Sequence, residues 1–590
     1  MQKRYTADFE TTTNPNDCRV WAWSICNIDN YSEIYYGNTI SSFFTKIQEL
    51  SNCDLYFHNL RFDSQFIIWY LLQMGYTYYE GKDTKELGFT TLINGENQIY
   101  KMDIIFRCYT SNTKQGFKKS YRKVSIYDSL KKLPFTVKKI AKDFDLPIQK
   151  LELDYNAYRN KNHILTSEEK AYLTNDVEIM ARALHAQFEQ GLTRMTIGSD
   201  ALFNYKNLIG EKQFKRLFPV LSIEVDDALR KAYHGGWTYV NPKFQGIDIG
   251  KGKVYDVNSL YPWAMRNNSY PVGEPYYSQG KYEFDALRPL YIQRFMCEFK
   301  LKEGKLPCVQ IKKSMLYSST EYLTESVEPT VLCMCNIDLK LFFDQYDVYN
   351  VTYIDYWCFF SADNLFTDYI DGWYKIKENS TGAVRALAKL MLNNLYGKFA
   401  TSPKIIEKMP ILEDNRVKYV VAKSYMKEAV YIPVGIFCTA YAREKTIRTA
   451  QKIYDRFIYA DTDSLHIVGE EEPEELHGLV DDKKLGLWKN ESNFVRARFL
   501  KAKSYIEEEE IDESHMKDSP LYYERDGKFY YLNVKCAGMN DAIKEKVTYD
   551  NFKEGFSSYG KLLPKNVKGG VVLEDTEFTI KPVKISKKQI

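Results

Sequence analysis

Several features are missing from the sequence, and each absence excludes something. The longest apolar run, Phe66 to Leu72, falls far short of the ~20 residues that a membrane-spanning helix needs. The first residues, MQKRYTADFE, hold no apolar signal segment. Cysteine occurs eleven times, an odd number, dispersed and never as CxxC. Neither a zinc site nor a disulfide framework can be read from that pattern, and a reducing compartment is expected. No charge sign dominates: 81 Lys and Arg face 78 Asp and Glu, a net charge of +3. That balance argues neither for nor against nucleic acid, because a basic groove can sit inside a near-neutral total. No GxxxxGK[ST] loop occurs, which disfavours a P-loop nucleoside triphosphatase. Repeats and low-complexity tracts are absent as well.

What is present is a chain of 590 residues, long enough for about four domains. Its 44% apolar and 15% aromatic content can fill sizeable cores and excludes general disorder. Tyrosine, at 48 residues, suits stacking and half-buried grooves, since the ring packs while the hydroxyl seeks a partner. The first ~190 residues read as α/β. Strands are predicted at Arg4 to Phe9 and at Cys53 to Phe57, the second leading into an apolar helix near Ser64 to Met74. A helix over Glu168 to Gln190 closes the unit, with a boundary expected at Gly198, Ser199 and Asp200. The remainder is richer in strands, including Lys253 to Val257 and Phe457 to Ala460, with one long helix from Gly382 to Ala400. Two acidic runs, Glu470 to Glu475 and Glu507 to Glu513, are predicted on solvated loops. From Asn551 onward eight Lys face four acids, as either a phosphate-facing surface or a solvated end.

Near the N-terminus, Asp8 and Glu10 stand two apart in a strand, so period-2 geometry points both to one face. Asp63 follows the second strand at the mouth of a helix, four residues after Asn59. Tyr172 and Asp176 share one helix face. Each acid alone could be a surface residue or a helix cap. Converging carboxylates repel, however, and two divalent cations are the usual remedy. Such a pair activates water and steadies the leaving oxygen in phosphodiester hydrolysis.

A second constellation lies further on. VYDVNSLYP places Asp256 by an apolar strand with Tyr261 five residues later, and IYADTDS places Asp461 and Asp463 near Tyr459 at a predicted hairpin. Alone, DTDS could be an exposed turn. Between them, Arg385, Lys389 and Asn393 step by four along GAVRALAKLMLNNLYGKFA, and Tyr396 follows by three, all on one helical stripe. Leu387, Leu390, Met391 and Leu395 supply the apolar packing elsewhere on that helix. A cationic stripe with Asn and Tyr below it can hold a triphosphate and then a sugar or base. Two Asp-bearing strands and a basic helix suit phosphoryl transfer without a covalent intermediate, with metals clamping the attacking hydroxyl and the leaving diphosphate. Lys389 would neutralise charge on the leaving group.

DFETTT, YFHNLRFD, YDSLKKLPF, YxxxD, YHGG, DVNSLYP, KLMLNNLYGKFA, YADTDS, KSY and KCAGM occur in the order found in family B DNA polymerases. The sequence resembles the protein-primed branch of that family, the replicative enzymes of bacteriophages, over nearly its whole length. The resemblance implies a multidomain chain of α/β and α+β parts: an RNase H-like 3′–5′ exonuclease domain, then a right-hand polymerase of palm, fingers and thumb with two protein-priming insertions. The implied limits are 1–196 for the exonuclease domain, 197–267 and 433–535 for the two parts of the palm, 268–364 and 401–432 for the terminal-protein-region insertions, 365–400 for the fingers, and 536–590 for the thumb with a C-terminal extension. Roughly 120 and about 60 residues flank the basic helix on its two sides before the Asp motifs, both too long for simple loops.

Residue by residue, the resemblance implies that Asp8, Glu10, Asp63 and Asp176 are exonuclease metal ligands and supporting acids. It implies that Tyr172 and Lys150 orient the attacking water and the scissile phosphate. His58, Asn59, Phe62, Ser129 and Leu130 would touch single-stranded DNA, and Tyr233, Gly235 and Gly236 would coordinate strand placement between the two sites. Asp256 and Asp463 would be polymerisation metal ligands, with Asp461 in support. Tyr261 would exclude a ribose 2′-hydroxyl. Lys377, Arg385, Lys389, Asn393 and Tyr396 would bind the nucleotide, while Lys503 and Tyr505 would contact the primer end and Lys535, near the thumb-like end, would bind DNA. The implied cofactor is Mg²⁺, two ions per active site, with Mn²⁺ as a substitute. The implied partners are primer-template and single-stranded DNA, dNTPs and a terminal priming protein, with no membrane, the chain being a monomer or a heterodimer with the priming protein in the cytoplasm of an infected bacterial cell.

Some features depart from the family pattern. Arg385 stands where Lys is expected, Ser111 to Arg122 fits poorly, and nine residues follow Lys581. The competing readings are an exonuclease-dominated repair enzyme, a catalytically silent DNA-binding scaffold, and a polymerase primed by nucleic acid. The intact DTDS and basic helix argue against the first, and the full set of carboxylates against the second. The third stays open, because priming is judged from the insertions alone.

Overall fold

The structure, a computed structural model, describes residues 3–81, 84–113, 116–155, 157–312, 321–512 and 521–582. In its first part, β1 (Lys3–Thr11), β2 (Val20–Asn27), β3 (Asn30–Gly37), α1 (Ile40–Leu50), β4 (Cys53–Phe57), α2 (Leu60–Gln73), β5 (Thr77–Tyr78), β6 (Gly88–Ile93), β7 (Ile99–Thr113) and β8 (Gly116–Asp128) lead to α3 (Val137–Asp143) and α4 (Ser167–Glu189). The strands form one sheet in the order β3-β2-β1-β4-β8-β7-β6-β5, with β1, β4 and β8 parallel. Alternation along β1 decides its two faces. Tyr5, Ala7 and Phe9 enter the core with Phe43, Phe57 and Ile67, which come from α1, β4 and α2. Thr6 faces the other way, and its hydroxyl donates to the Val177 carbonyl of α4 (2.7 Å). Asp8 and Glu10 share that α4 side because they share its parity. The Lys- and Ser-rich stretch Ser111–Arg122 belongs to the β7–β8 hairpin, with Lys114 and Gln115 outside the described residues.

Next come α5 (Ile197–Ile209), α6 (Glu211–Leu217), α7 (Ile223–Arg230), β9 (Thr238–Val240), β10 (Asp248–Ile249), β11 (Gly252–Val257), α8 (Leu260–Asn267), β12 (Tyr270–Gln279), β13 (Leu290–Leu301), β14 (Thr330–Cys335), α9 (Asn336–Gln345), β15 (Tyr346–Ala362), α10 (Thr367–Asn379) and α11 (Gly382–Phe399). They are followed by β16 (Lys404–Glu413), β17 (Arg416–Met426), α12 (Ile432–Lys452), β18 (Phe457–Asp461), β19 (Ser464–Val468), β20 (Trp488–Phe494), β21 (Arg496–Lys501), β22 (Ser504–Ile511), β23 (Tyr522–Arg525), β24 (Lys528–Cys536), α13 (Asp541–Lys544), β25 (Ser557–Val567) and β26 (Gly570–Thr579). The central sheet runs β20-β11-β19-β18-β9. A second, β10-β21-β22-β24-β23, adjoins it, and β12-β15-β13-β14 form a third. Two long hairpins, β16–β17 and β25–β26, stand apart from these sheets. The stretch from β12 to β15 therefore has a sheet of its own between the DVNSLYP segment and α10, with Leu290, Ile292, Trp357 and Phe359 packed into the large core of the chain, and β16–β17 follows α11.

The predicted elements lie close to those observed, with three differences. The apolar helix begins at Leu60 rather than near Ser64, so Asp63 lies in its first turn. Gly198, Ser199 and Asp200 are helical, inside α5, and the chain turns just upstream at 190–196. Asp200 is buried because it pairs with buried Lys132 (2.9 Å), an interaction that no local pattern encodes. The acidic run from Glu507 is the third case. Glu470–Glu475 does lie outside strands, mostly exposed, but Glu507–Glu510 belongs to β22, and Glu507 and Glu508 are fully buried. Arg496, Arg525 and the Tyr523 hydroxyl enclose Glu508, and Glu507 meets His466 (2.7 Å). Glu513, which ends the run, lies outside the described residues, as do the last eight residues of the nine that follow Lys581.

Lys132 also donates to the carbonyls of Leu192 (2.9 Å) and Arg194 (2.6 Å), so this ion pair fixes the first part of the chain to α5. Breaking a buried pair from one side strands a charge at a cost of about 3–5 kcal/mol. Asp200→Ala is expected to lose stability of that order in chemical denaturation. The double change Lys132→Met with Asp200→Leu is expected to recover most of it. A loss below about 1 kcal/mol for Asp200→Ala would show that the pair does not hold the junction.

Candidate active sites

The first site assembles on the α4 side of the eight-stranded sheet. Ligand oxygens of Asp8, Glu10 and Asp176 lie within 4.8 Å of one another. Asp63 joins them from α2, buried, its carboxyl pushed well up by burial, with Asp8 and Glu10 adding to the effect. Burial and Asp176 push Asp8 up to about 7 against the pull of Lys150, and Glu10 is raised by burial, Asp8 and Asp176. Lys150 is the cation present: its ammonium donates to Asp176 Oδ2 (2.5 Å) and to the Tyr172 hydroxyl (3.1 Å). Tyr155, absent from the sequence-based set, places its hydroxyl 2.8 Å from that of Tyr172. Asp176 Oδ1 is buried with no hydrogen-bond partner. A cluster of carboxylates held close and burdened with repulsion, with one orphaned oxygen, fits divalent cations, whose oxygen donors are carboxylates of this kind.

The strand–helix junction beside the site is strained. Asn59, at the N-cap of α2, has φ +65° and no side-chain cap. Asp128 replaces the cap: its Oδ1 accepts from the backbone N–H groups of Asn59 (3.0 Å), Leu60 (3.2 Å) and Leu130 (3.1 Å). Sequence reasoning missed Asp128, although it stands inside YDSLKKLPF. Asn59 is exposed, and Phe62 and Leu130 are half-buried beside it. His58 and Ser129 are committed inward: His58 Nδ1 lies 3.0 Å from Ser129 Oγ, its Nε2 2.7 Å from the Phe135 carbonyl, and Ser129 donates to the Phe57 carbonyl (2.9 Å).

The second site lies on the central sheet. Asp256, on β11, pairs in register with Ser464 of β19, and the Val257 N–H donates to the Asp463 carbonyl (2.8 Å). Asp461 ends β18 and Asp463 lies with Thr462 in the two-residue β18–β19 turn, where Thr462 adopts φ +68°, a backbone state rare for a β-branched residue. Gly236 of YHGG lies against that turn: a Cβ there would meet Thr462 Oγ1 at 2.3 Å. Arg443 of α12 holds the same segment through the carbonyls of His234 (2.6 Å) and Gly235 (2.8 Å), and is itself paired with buried Asp338. Tyr233 is half-buried, packed against the large core between the two parts.

The three acids differ in state. Asp461 is engaged by Lys503 (2.7 and 2.8 Å), Thr238 (3.0 Å) and Tyr459 (3.2 Å). Asp256 is pushed up to about 8 by burial, Asp463 and Glu491, with Lys389 opposing, and Asp463 is raised by burial, Asp461 and Glu491. Glu491 was not anticipated. It sits at a bulge in β20, where Val254 pairs with Ser492 but Tyr255 with Asn490, and the extra residue adds a carboxylate near the other two.

Across a cavity of about 460 Å³ stand Lys377, Arg385 and Lys389. Burial, Arg385 and Lys389 depress the Lys377 ammonium against the pull of Glu378, as expected of cations gathered around an anion site. The stripe is as predicted: Arg385, Lys389 and Asn393 are exposed while Leu387, Leu390, Met391 and Leu395 are buried. Arg385 spends one N–H on the Lys377 carbonyl (2.8 Å), a bond that links α11 to α10. Tyr396 and Tyr261 stack with ring centroids 4.0 Å apart. Lys503 is exposed. Tyr505 is buried, stacked on Phe499, and it supports Tyr459 from below. Lys535 pairs in register with Tyr505 and is exposed.

Known proteins resemble this arrangement. A family model described as DNA polymerase type B, organellar and viral, matches residues 45–171 and 156–478. The chain is 47% identical over 586 residues to a DNA polymerase of Bacillus phage M2, covering 98% of this chain and 100% of that one. It is 47% identical over 587 residues to the DNA polymerase of Bacillus phage phi29, covering 98% and 99%, and 31% identical over 602 residues to that of Streptococcus phage Cp-1, covering 98% of both. The solved phi29 DNA polymerase complexed with primer-template DNA and incoming nucleotide substrates superposes with a TM-score of 0.91 at 46% identity, covering 98% of this chain and 100% of that one. The fold is thus that of a multidomain polymerase, an exonuclease domain followed by palm, fingers and thumb. The chain belongs to the type B DNA polymerases, in the phi29-type phage group, and is a DNA-directed DNA polymerase.

The raised carboxyls make a stability prediction. Folded Asp256 binds its proton more tightly than the unfolded residue, whose pKa is near 3.9. Its contribution to stability is therefore present below about pH 4 and is lost as pH rises to about 8. Without metal, wild-type protein should lose stability relative to Asp256→Asn across that window. Mg²⁺ should raise the wild-type melting temperature more at pH 8 than at pH 5. Thermal melts in buffers spanning the window test this, and equal Mg²⁺ effects at both pH values would contradict it.

Proposed function

We propose that this polymerase copies a linear viral genome by protein-primed, strand-displacing synthesis, and that it proofreads with a 3′–5′ exonuclease at the first site. The observation that carries the two-activity reading is the presence of two separate carboxylate clusters on two sheets, of which, among the described residues, the second is faced by a cationic helix across a cavity of about 460 Å³. The single-stranded DNA, primer-template and nucleotide complexes of phi29 DNA polymerase support the same partners for this chain. Replication would take place in the infected bacterial host. The β12–β15 unit and the β16–β17 hairpin are the segments that would receive a terminal priming protein and part the strands. The domain limits given above follow this reading.

Mg²⁺, or Mn²⁺ in its place, would sit as two ions among Asp8, Glu10, Asp63 and Asp176 and as two by Asp256 and Asp463, supplying an activated oxygen nucleophile and a stabilised leaving oxygen. The chain's own residues do the rest. At the polymerase site Lys377, Arg385 and Lys389 bind the triphosphate, and Lys389, the cation nearest Asp256 in effect, offsets charge on the departing diphosphate. Tyr396 and Tyr261 form an aromatic floor, and the Tyr261 ring fills the volume that a 2′-hydroxyl would need. Lys503 keeps Asp461 engaged and offers an exposed ammonium toward the primer end. At the exonuclease site Tyr172, held by Lys150 and Tyr155, orients the attacking water, and Lys150 steadies the scissile phosphate.

On a labelled recessed primer-template with Mg²⁺, Asp256→Ala or Asp463→Ala should abolish extension and keep 3′ shortening, whereas Asp8→Ala or Asp63→Ala should do the reverse. Loss of both activities from one folded variant would refute the two-site reading. Tyr261→Val should admit ribonucleotides, with discrimination falling by about tenfold or more. Unchanged sugar selection would remove the gate from Tyr261.

A further inference from the structure

Helix α2 carries Asp63, yet the outer face of that helix is covered largely by chain from the polymerase part. Gln65, two residues beyond Asp63, is 4% exposed. Its side-chain nitrogen donates to the Arg61 carbonyl one turn back (3.0 Å) and to the Tyr419 hydroxyl of β17 (2.6 Å). Its oxygen accepts from Asn566 of β25 (3.2 Å), and Asn566 also donates to the Val417 carbonyl of β17 (2.7 Å). One buried amide thus joins α2 to two hairpins that are 354 and 501 residues away in sequence. The stripe continues at helical spacing. Trp69 donates its indole N–H to the Asn415 carbonyl (3.1 Å), and Gln73 reaches the Asn415 side chain (3.4 Å), both at the β16–β17 turn. Between these bonds the backbone of β26 lies flat on α2: a Cβ at Gly570, whose φ is +154°, would meet the Phe66 ring at 2.4 Å.

We infer that Gln65 is a positioning residue for the carboxylate site at Asp63, holding α2 in register by docking it onto the β16–β17 and β25–β26 hairpins. The inference rests on the exonuclease reading of that site. Asp63 lies in the first turn of α2, so the place of its carboxyl follows the place of the helix, and the helix is docked from behind by these contacts. The brace is Gln65 with its two hairpin partners, and the exonuclease site is complete only when both hairpins are seated. The same contacts make α2 the member that senses whether the hairpins are docked.

The test uses the full chain with Gln65→Leu, which keeps the volume and removes the hydrogen bonds, Tyr419→Phe, and the double variant. Hydrogen exchange of residues 60–73 is followed by mass spectrometry. Degradation of a labelled single-stranded oligonucleotide and single-nucleotide extension of a primer-template are measured on the same preparations. Each single variant should speed exchange in α2 by about 3- to 10-fold, the range that one net hydrogen bond sets. Each should lower the kcat of degradation by a similar factor, with oligonucleotide KM and nucleotide incorporation within about twofold of wild type. The double variant should be no worse than the more affected single, because both changes remove one shared contact. Unchanged α2 exchange, or degradation and extension falling together with a lower melting temperature, overturns the inference. Wild-type protein that leaves the oligonucleotide intact overturns the exonuclease reading itself, and that result is seen before any variant is compared.

Discussion

The structure depends on carboxylates held where they repel. In both sites several acids are packed closely enough that burial and mutual charge raise their proton affinity: Asp8 to about 7 in one, Asp256 to about 8 in the other. Neither cluster stabilises the fold by itself. Each must be forced together by surrounding structure, and the surroundings show how. Parity along β1 puts Asp8 and Glu10 on the α4 face, and the β11–β19 ladder puts Asp256 beside the turn that carries Asp463. On the proposed reading bound cations would offset this repulsion, so the carboxylates that cost stability would be the ones that recruit the metal.

Strain accumulates at the same places. Asn59 at the first site, and Ser259, Thr462 and Lys503 at the second, all have φ between +57° and +68°. Each costs on the order of 1 kcal/mol or more outside glycine. Three of the four are held by long-range partners: Asp128 for Asn59, Gly236 and the Trp237 carbonyl for Thr462, and the Tyr459 hydroxyl for the Lys503 N–H. The YHGG segment therefore has two duties. Its glycine admits the strained DTDS turn, and its carbonyls are fixed by Arg443, so the polymerase acids and the approach between the two parts of the chain are set by one short piece of backbone.

Much of this was legible in the sequence, because much of it is periodic. Two-residue spacing gave Asp8 with Glu10 and four-residue spacing gave Arg385, Lys389 and Asn393, since strand and helix geometry translate spacing directly into a shared face. The resemblance to the polymerase family supplied the pairing of these sites into one enzyme, which spacing alone does not provide. What escaped was non-periodic or long-range. Glu491 acts through a bulge, and a bulge shifts register without any composition signal. Asp128 looked like one more polar residue in its motif, whereas its role comes from a helix start nearly 70 residues earlier in the chain. The acids at Glu507 and Glu508 read as a solvated loop because local charge was weighed alone, and only the fold reveals the arginines and the histidine that permit their burial.

The same distinction explains why the candidate exonuclease domain is not self-contained. A domain of this class is expected to cover its own helices, and neither long helix meets that expectation. Helix α4 packs on β1 and β2 but also enters the large core that it shares with α5 and α11. Helix α2 packs inward on β7 and β8, but its outer face carries Gln65, Phe66, Trp69 and Gln73, groups too apolar or too rich in hydrogen-bonding capacity to be left bare. Their partners come from the hairpin after α11 and from the hairpin near the end of the chain. The position of Asp63 is thus tied to two hairpins that belong to the part of the chain carrying the second carboxylate cluster. On the proposed reading one DNA end passes between a site that adds and a site that removes, and this bracing from outside the first sheet would keep Asp63 in place while it does so.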